Sequence, residues 1–187
     1  MLHALLSSFI VFQFVNGLTM TVTQLAAIQH ASPAAFSAAA ILAGTILAVG
    51  GHYFQKEKVI VWVSRRIEAV AVVSVAATAL GAAVLMWGTP DARILVGATF
   101  LVIFTIPEKL YWEIIKMRTT RGDKWEMKMQ SNSAAAGLAG SCTYFALLMV
   151  GWEPSLGVAL ILEVVVSVFT EVMFVIVFKK YKGPTEK

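Results

Sequence analysis

The hydrophobic residues of this chain fall in long blocks parted by short polar breaks. The first charged side chain is Lys56, so residues 1–55 form a charge-free stretch, interrupted once at His30-Ala31-Ser32-Pro33. That break predicts two helices, over about 2–28 and 34–53, the second rich in small residues, with Ala40, Gly44 and Ala48 at four-residue spacing. A third is predicted over 67–87, closed by the turn-forming run Gly88-Thr89-Pro90-Asp91. A fourth follows over 92–106, where Pro107 should end or bend it by removing an amide donor and crowding the preceding turn. Residues 108–130 are the one long polar connection. A fifth helix is expected over 133–150, a tight turn at Gly151-Trp152-Glu153-Pro154, and a sixth over 156–178. Most of these blocks reach the roughly 20 residues that a helix needs to cross a hydrocarbon core about 30 Å thick. The expected fold is all-α: a single transmembrane domain over residues 1–187, a polytopic six-helix bundle. The first block is not expected to be a cleaved signal peptide, since it lacks a basic leading region and its apolar stretch is too long.

Composition and charge sharpen this picture. Of 187 residues, 58% are hydrophobic and only 14% charged, against about a quarter charged in a soluble domain. Mean hydropathy is +0.77, and a soluble fold is not expected. Four Lys and Arg lie in 56–66, six in 109–128 and four in 179–187, leaving Arg93 alone elsewhere. Each basic segment is separated from the next by two predicted spans. The positive-inside rule then makes all three cytoplasmic, with both termini inside and three short turns outside the cell membrane. Trp87 and Trp152 fall at outer ends and Trp62 and Trp112 near inner ones, at headgroup level. The net charge of +4 thus reports topology and predicts no nucleic-acid partner. One cysteine, Cys142, and three scattered histidines, His3, His30 and His52, give no disulfide, thiol pair or metal-ligand spacing, so neither a metal nor a cofactor is expected. No GxSxG, HExxH or Walker glycine loop is present, and enzyme activity is not expected.

Polar residues inside the blocks are the candidate functional positions. A carboxylate at the centre of a membrane helix costs about 2.5–3.5 kcal/mol on insertion scales and should face a cavity or a partner. Glu163 and Glu171 lie eight residues apart in the last block. At 100° per residue they share one half of the helix, about 12 Å apart in height, as a proton-coupling or cation-binding face would require. Alternatively, Glu163 is shallow and wet and Glu171 is neutral or paired. In the first block Gln13, Asn16, Thr19, Thr23 and Gln24 interrupt the apolar run. Asn16, Thr19 and Thr23 form a stripe suited to hydrogen-bonding a solute or to holding helices together. Asn16 and Gln24 are the candidates for solute contact. Thr105 is expected to satisfy backbone freed by Pro107. In the fifth block Ser133, Ala136, Gly137, Gly140 and Ser141 predict close helix approach. The apolar and basic residues of 108–130 suggest an amphipathic helix at the inner headgroup plane, with anionic lipid within reach of its basic residues.

Three segments carry a family resemblance. Gly51-His52-Tyr53-Phe54-Gln55-Lys56 stands where the major facilitator superfamily has its Gly-x-x-x-Asp-Arg/Lys gating loop, with Gln55 at the acidic position. Ala92-Arg93-Ile94-Leu95-Val96-Gly97 is similar to that family's Arg-x-x-x-Gly pattern in the fourth helix, and Arg121-Gly122 precedes a glycine-rich fifth helix. The chain resembles the amino-terminal six-helix half of such a transporter over about residues 5–178. The resemblance implies a rocker-switch transporter of a small solute, whose site lies between two halves near mid-membrane. With one half present, it also implies a homodimer or a second membrane subunit. Asn16, Gln24 and Arg93 would then line the cavity, Glu171 would carry a coupled proton, and Gly51, Gln55 and Lys56 would form the gating loop. A second resemblance, in helix number and size, is to the substrate-binding membrane subunit of an energy-coupling-factor importer, in which Ala35-x-x-x-Ala39 would dock a partner. A non-transporting accessory or immunity protein of the membrane is the third class open to the sequence.

Overall fold

The computed structural model describes residues 2–28, 31–54, 56–97, 99, 111–115 and 123–180. Helices α1 (Leu2–Ile28), α2 (Pro33–Phe54), α3 (Glu57–Arg65), α4 (Ile67–Trp87), α5 (Asp123–Met149) and α6 (Leu156–Lys180) account for most of them. Short helical stretches occur at 90–97 and 111–115, and no strand occurs among the described residues. Four helices, α1, α2, α4 and α6, are long and apolar enough to cross a membrane.

Local chemistry fixes the ends. Pro33 opens α2 at the first helical position, where its missing N–H costs nothing, and the Ser32 hydroxyl accepts the Ala35 N–H at 3.2 Å. Asp91 binds this cap from a distant part of the chain. Its Oδ1 accepts the Ser32 N–H at 2.7 Å and its Oδ2 accepts the Ser32 hydroxyl at 2.9 Å. The α5–α6 turn uses Gly151 at φ +78°, the left-handed region that favours glycine. The Gly151 and Trp152 N–H groups meet the Leu148 and Leu147 carbonyls, each at 3.0 Å.

Helix α1 is the centre of the bundle, packed on α5 along one face and on α6 along another. The α1–α5 contact uses the predicted small residues. Gly140 lies against the Phe14 and Leu18 backbone and Gly17 against the Gly137 carbonyl, while the Ser141 hydroxyl reaches the Gly17 carbonyl at 3.1 Å. On the other face the Thr170 hydroxyl donates to the Ser8 carbonyl and the Thr19 hydroxyl to the Ala159 carbonyl, both at 3.3 Å, so α1 and α6 are antiparallel. Glu68 pairs with Lys179, and Thr78 and Ser167 meet at 3.4 Å, which makes α4 antiparallel to α6 as well. Met129 packs at the Leu5–Phe9 end while Gly140 lies beside Leu18. Thus α1, α4 and α5 run one way and α6 the other.

Three sequence expectations are corrected in detail. The basic segment after α2 contains the amphipathic helix α3, which buries Ile60 and Val63 and leaves Trp62 exposed under the Arg66 guanidinium, 4.8 Å from its ring centroid. The polar connection 108–130 is not one loop, because residues 123–130 belong to α5 and Tyr111, Trp112, Ile114 and Ile115 are buried core. Trp112 is 1% exposed and packs on Phe9 with ring centroids 4.8 Å apart, so its ring is enclosed by protein instead of being free to face headgroups. The other three tryptophans named above, Trp62, Trp87 and Trp152, are exposed. Thr105, Pro107 and Arg121-Gly122 lie outside the described residues.

Candidate functional site: a polar seam between α1 and α6

On α1, Ser8, Phe12, Asn16, Thr19 and Thr23 succeed one another at three- and four-residue intervals, so they form one stripe. Ser8 and Thr19 both contact α6, so the stripe faces that helix. The matching stripe on α6 is Ala159, Glu163, Ser167, Thr170 and Glu171, and all of these are buried. Apolar helices thus enclose a line of hydroxyls, one amide and two carboxyls where a tightly packed membrane interface would suffice with small apolar residues.

The seam has two centres. At the first, Glu163 is 1% and Asn16 6% exposed. The Thr19–Ala159 and Ser8–Thr170 contacts set the register and place Asn16 level with Glu163 on the facing helix. Among the described residues, neither Glu163 Oε1 nor Asn16 Oδ1 has a hydrogen-bond partner. The Thr19 hydroxyl lies beside the Glu163 carboxyl and also reaches the Ala159 carbonyl at 3.3 Å, with one proton for the two acceptors. Thr23 donates instead to the Thr19 carbonyl at 2.8 Å.

At the second centre the Tyr111 hydroxyl donates to Glu171 Oε2 at 2.8 Å, and Ser74 of α4 lies beside the same carboxyl. The Tyr111 ring stacks on Phe174 with centroids 3.8 Å apart. Glu171 also lines an apolar cleft of about 510 Å³ between α4 and α6, whose walls include Ala71, Val75, Ala79, Val168 and Val172.

Asn16, Glu163 and Glu171 are thus brought into one seam. Gln24 is exposed and lies off it. Arg93 donates from Nη2 to the Met86 carbonyl at 3.0 Å, capping the last turn of α4 at the end remote from Glu68, and its Nε has no partner among the described residues. Gly51 lies in the last turn of α2, Lys56 rests over the Tyr53 ring at 4.5 Å, and Gln55 falls outside the described residues. Ala35 and Ala39 are buried, Ala39 against Ile94, and so form no outward docking stripe. Among the described residues no group of three or more His, Cys, Asp or Glu is placed to hold a metal ion. Ser8, Ser74, Thr78, Tyr111, Ser167 and Thr170 are the polar seam residues that sequence reasoning missed. Ser167 and Thr170 were visible as polar breaks on the Glu163–Glu171 face, whereas nothing local tied Tyr111 to a glutamate 60 residues away. No protein family, no curated protein and no solved structure matches the chain.

Proposed function

We propose that the chain is an integral membrane transport protein for a small solute, a six-span bundle with both termini cytoplasmic that acts as a dimer or with a second membrane subunit. The observation that carries this reading is the buried seam. Two carboxyls, an amide and several hydroxyls stand inside helices apolar enough to span a bilayer, and ionisable groups at such depth mark solute or ion pathways.

Helix directions support six crossings. The parallel course of α4 and α5 supports a return of the chain across the bundle between them. Residues 91–95 stand beside the start of α2 and residues 111–115 beside Leu5 and Phe9, at opposite ends. Charge supports the orientation. Lys56, Lys58, Arg65, Arg66, Lys179 and Lys180 are all exposed at the end that holds the start of α1, and the positive-inside rule makes that end cytoplasmic. Read as half of a major facilitator transporter, a chain of this kind would have its solute site between two copies or two subunits.

Native mass spectrometry of the full chain released from lipid nanodiscs tests the assembly, and a solute screen by thermal melting tests binding. The expected result is a homodimer, or a complex with a second membrane protein, whose melting point rises with one class of solute. A monomer whose melting responds to no solute overturns the reading and favours an accessory protein.

A further inference from the structure

The first centre of the seam holds two buried acceptor oxygens without donors among the described residues. Glu163 Oε1 and Asn16 Oδ1 are buried and find no hydrogen-bond partner among the described residues, and the one proton of the Thr19 hydroxyl serves both the Glu163 carboxyl and the Ala159 carbonyl, the latter at 3.3 Å. A buried acceptor left unsatisfied is destabilising, and a buried carboxylate without a counter-charge is more so.

No side-chain cation of the described residues neutralises Glu163. Helix α1 carries no Lys or Arg, α4 has Glu68 as its one charged residue, and the cations of α6 are Lys179 and Lys180 at its opposite end. Helix α5 bears its charges at positions 123–128, level with the start of α1. Arg93 holds the Met86 carbonyl at the end of α4. The other carboxyl on this face, Glu171, is held by Tyr111.

We infer that Asn16, Thr19 and Glu163 form a binding site for a small monovalent cation of the sodium class, held between α1 and α6. The donor set is carboxylate, amide carbonyl and hydroxyl oxygen, the ligands that hard cations select over soft or imidazole-seeking metals. One carboxylate supplies one negative charge, so a monovalent ion leaves the site neutral while a divalent ion leaves an excess positive charge in a low-dielectric interior. A proton bridges two oxygens, whereas a metal cation engages all three. As the coupling ion of transport the cation rests on the transport reading above, but its binding does not.

The test is thermal melting of the purified full chain at fixed pH and ionic strength in sodium, potassium or choline chloride. Sodium should raise the midpoint along a one-site saturation curve, by roughly 5–10 °C at a hundred times the dissociation constant. Glu163→Gln and Asn16→Leu should abolish that response, while Thr45→Val on the exposed face of α2 should keep it. Equal midpoints of the unaltered chain in all three salts overturn the site, with no variant needed. A midpoint that follows pH and ignores sodium places a proton on Glu163 and overturns it as well. Sodium binding without solute uptake in proteoliposomes keeps the site and counts against the transport reading alone.

Discussion

Gly17 and Gly137 meet backbone to backbone: a Cβ built on Gly17 would fall inside the van der Waals envelope of the Gly137 carbonyl. The same holds for Gly140 against the Phe14 carbonyl, whereas a Cβ on Gly137 would come no nearer than 3.6 Å to the Gln13 carbonyl. Gly17→Ala and Gly140→Ala should therefore force α1 and α5 apart and cost about 1–3 kcal/mol each, the usual range for overpacking. Gly137→Ala makes only ordinary contact and should be near neutral. Melting of the three variants in one detergent checks the order, and equal losses at all three would contradict the packing.

The hydrogen bond from Tyr111 to Glu171 gives a second prediction. Tyr111→Phe keeps the stack on Phe174 but leaves a buried carboxyl oxygen short of its donor, at a cost of about 1–3 kcal/mol. Glu171→Gln retains an acceptor oxygen for the phenol and should cost less. Tyr111→Ala should cost most, since it loses the ring as well. A Tyr111→Phe variant as stable as the parent would show that the bond contributes nothing.

The Ser32–Asp91 clamp gives a third. Asp91→Ala removes both acceptors of Ser32 and should fray the first turn of α2, costing about 0.5–2 kcal/mol as lost caps do. Hydrogen exchange should accelerate at Ala35 and Phe36, whose N–H groups reach the Ser32 carbonyl, and remain unchanged in α6. Asp91→Asn keeps one acceptor oxygen and should show the smaller effect.

Much of the fold was legible because membrane helices announce themselves by length and apolarity. Predicted spans 2–28 and 67–87 match α1 and α4, and the small residues of α5 make the close helix approach expected of them, which the structure directs against α1. The start of α5 was misplaced because Gln130-Ser131-Asn132 reads as a break, although polar side chains do not break a helix that lacks Pro or internal Gly at that point. Burial of Tyr111 and Trp112 was hidden for a different reason. Their surroundings in sequence are charged, and only tertiary contact with Phe9 and Phe174 removes them from water. Half of the site was legible in Asn16, Thr19, Glu163 and Glu171. Which of the polar residues face one another depends on the register of α1 against α6, and that register follows from side-chain packing along the whole interface.

The parallel course of α4 and α5 gives the last prediction. Trp87, at the end of α4, and Glu153, in the turn before α6, belong to one end of the bundle, whereas Arg65 and Lys128 belong to the other. In a background of Cys142→Ser, which removes the chain's single cysteine, Arg65→Cys and Lys128→Cys should react with a membrane-impermeant thiol reagent only after cells are opened. Glu153→Cys should react in intact cells. If residues 88–122 did not return across the membrane, the labelling of Arg65→Cys and Lys128→Cys would fall on opposite sides. Reversed labelling of all three positions would keep six crossings and overturn the cytoplasmic placement of the basic end. Labelling of Arg65→Cys and Lys128→Cys from one side and Glu153→Cys from the other is the pattern that the parallel helices require.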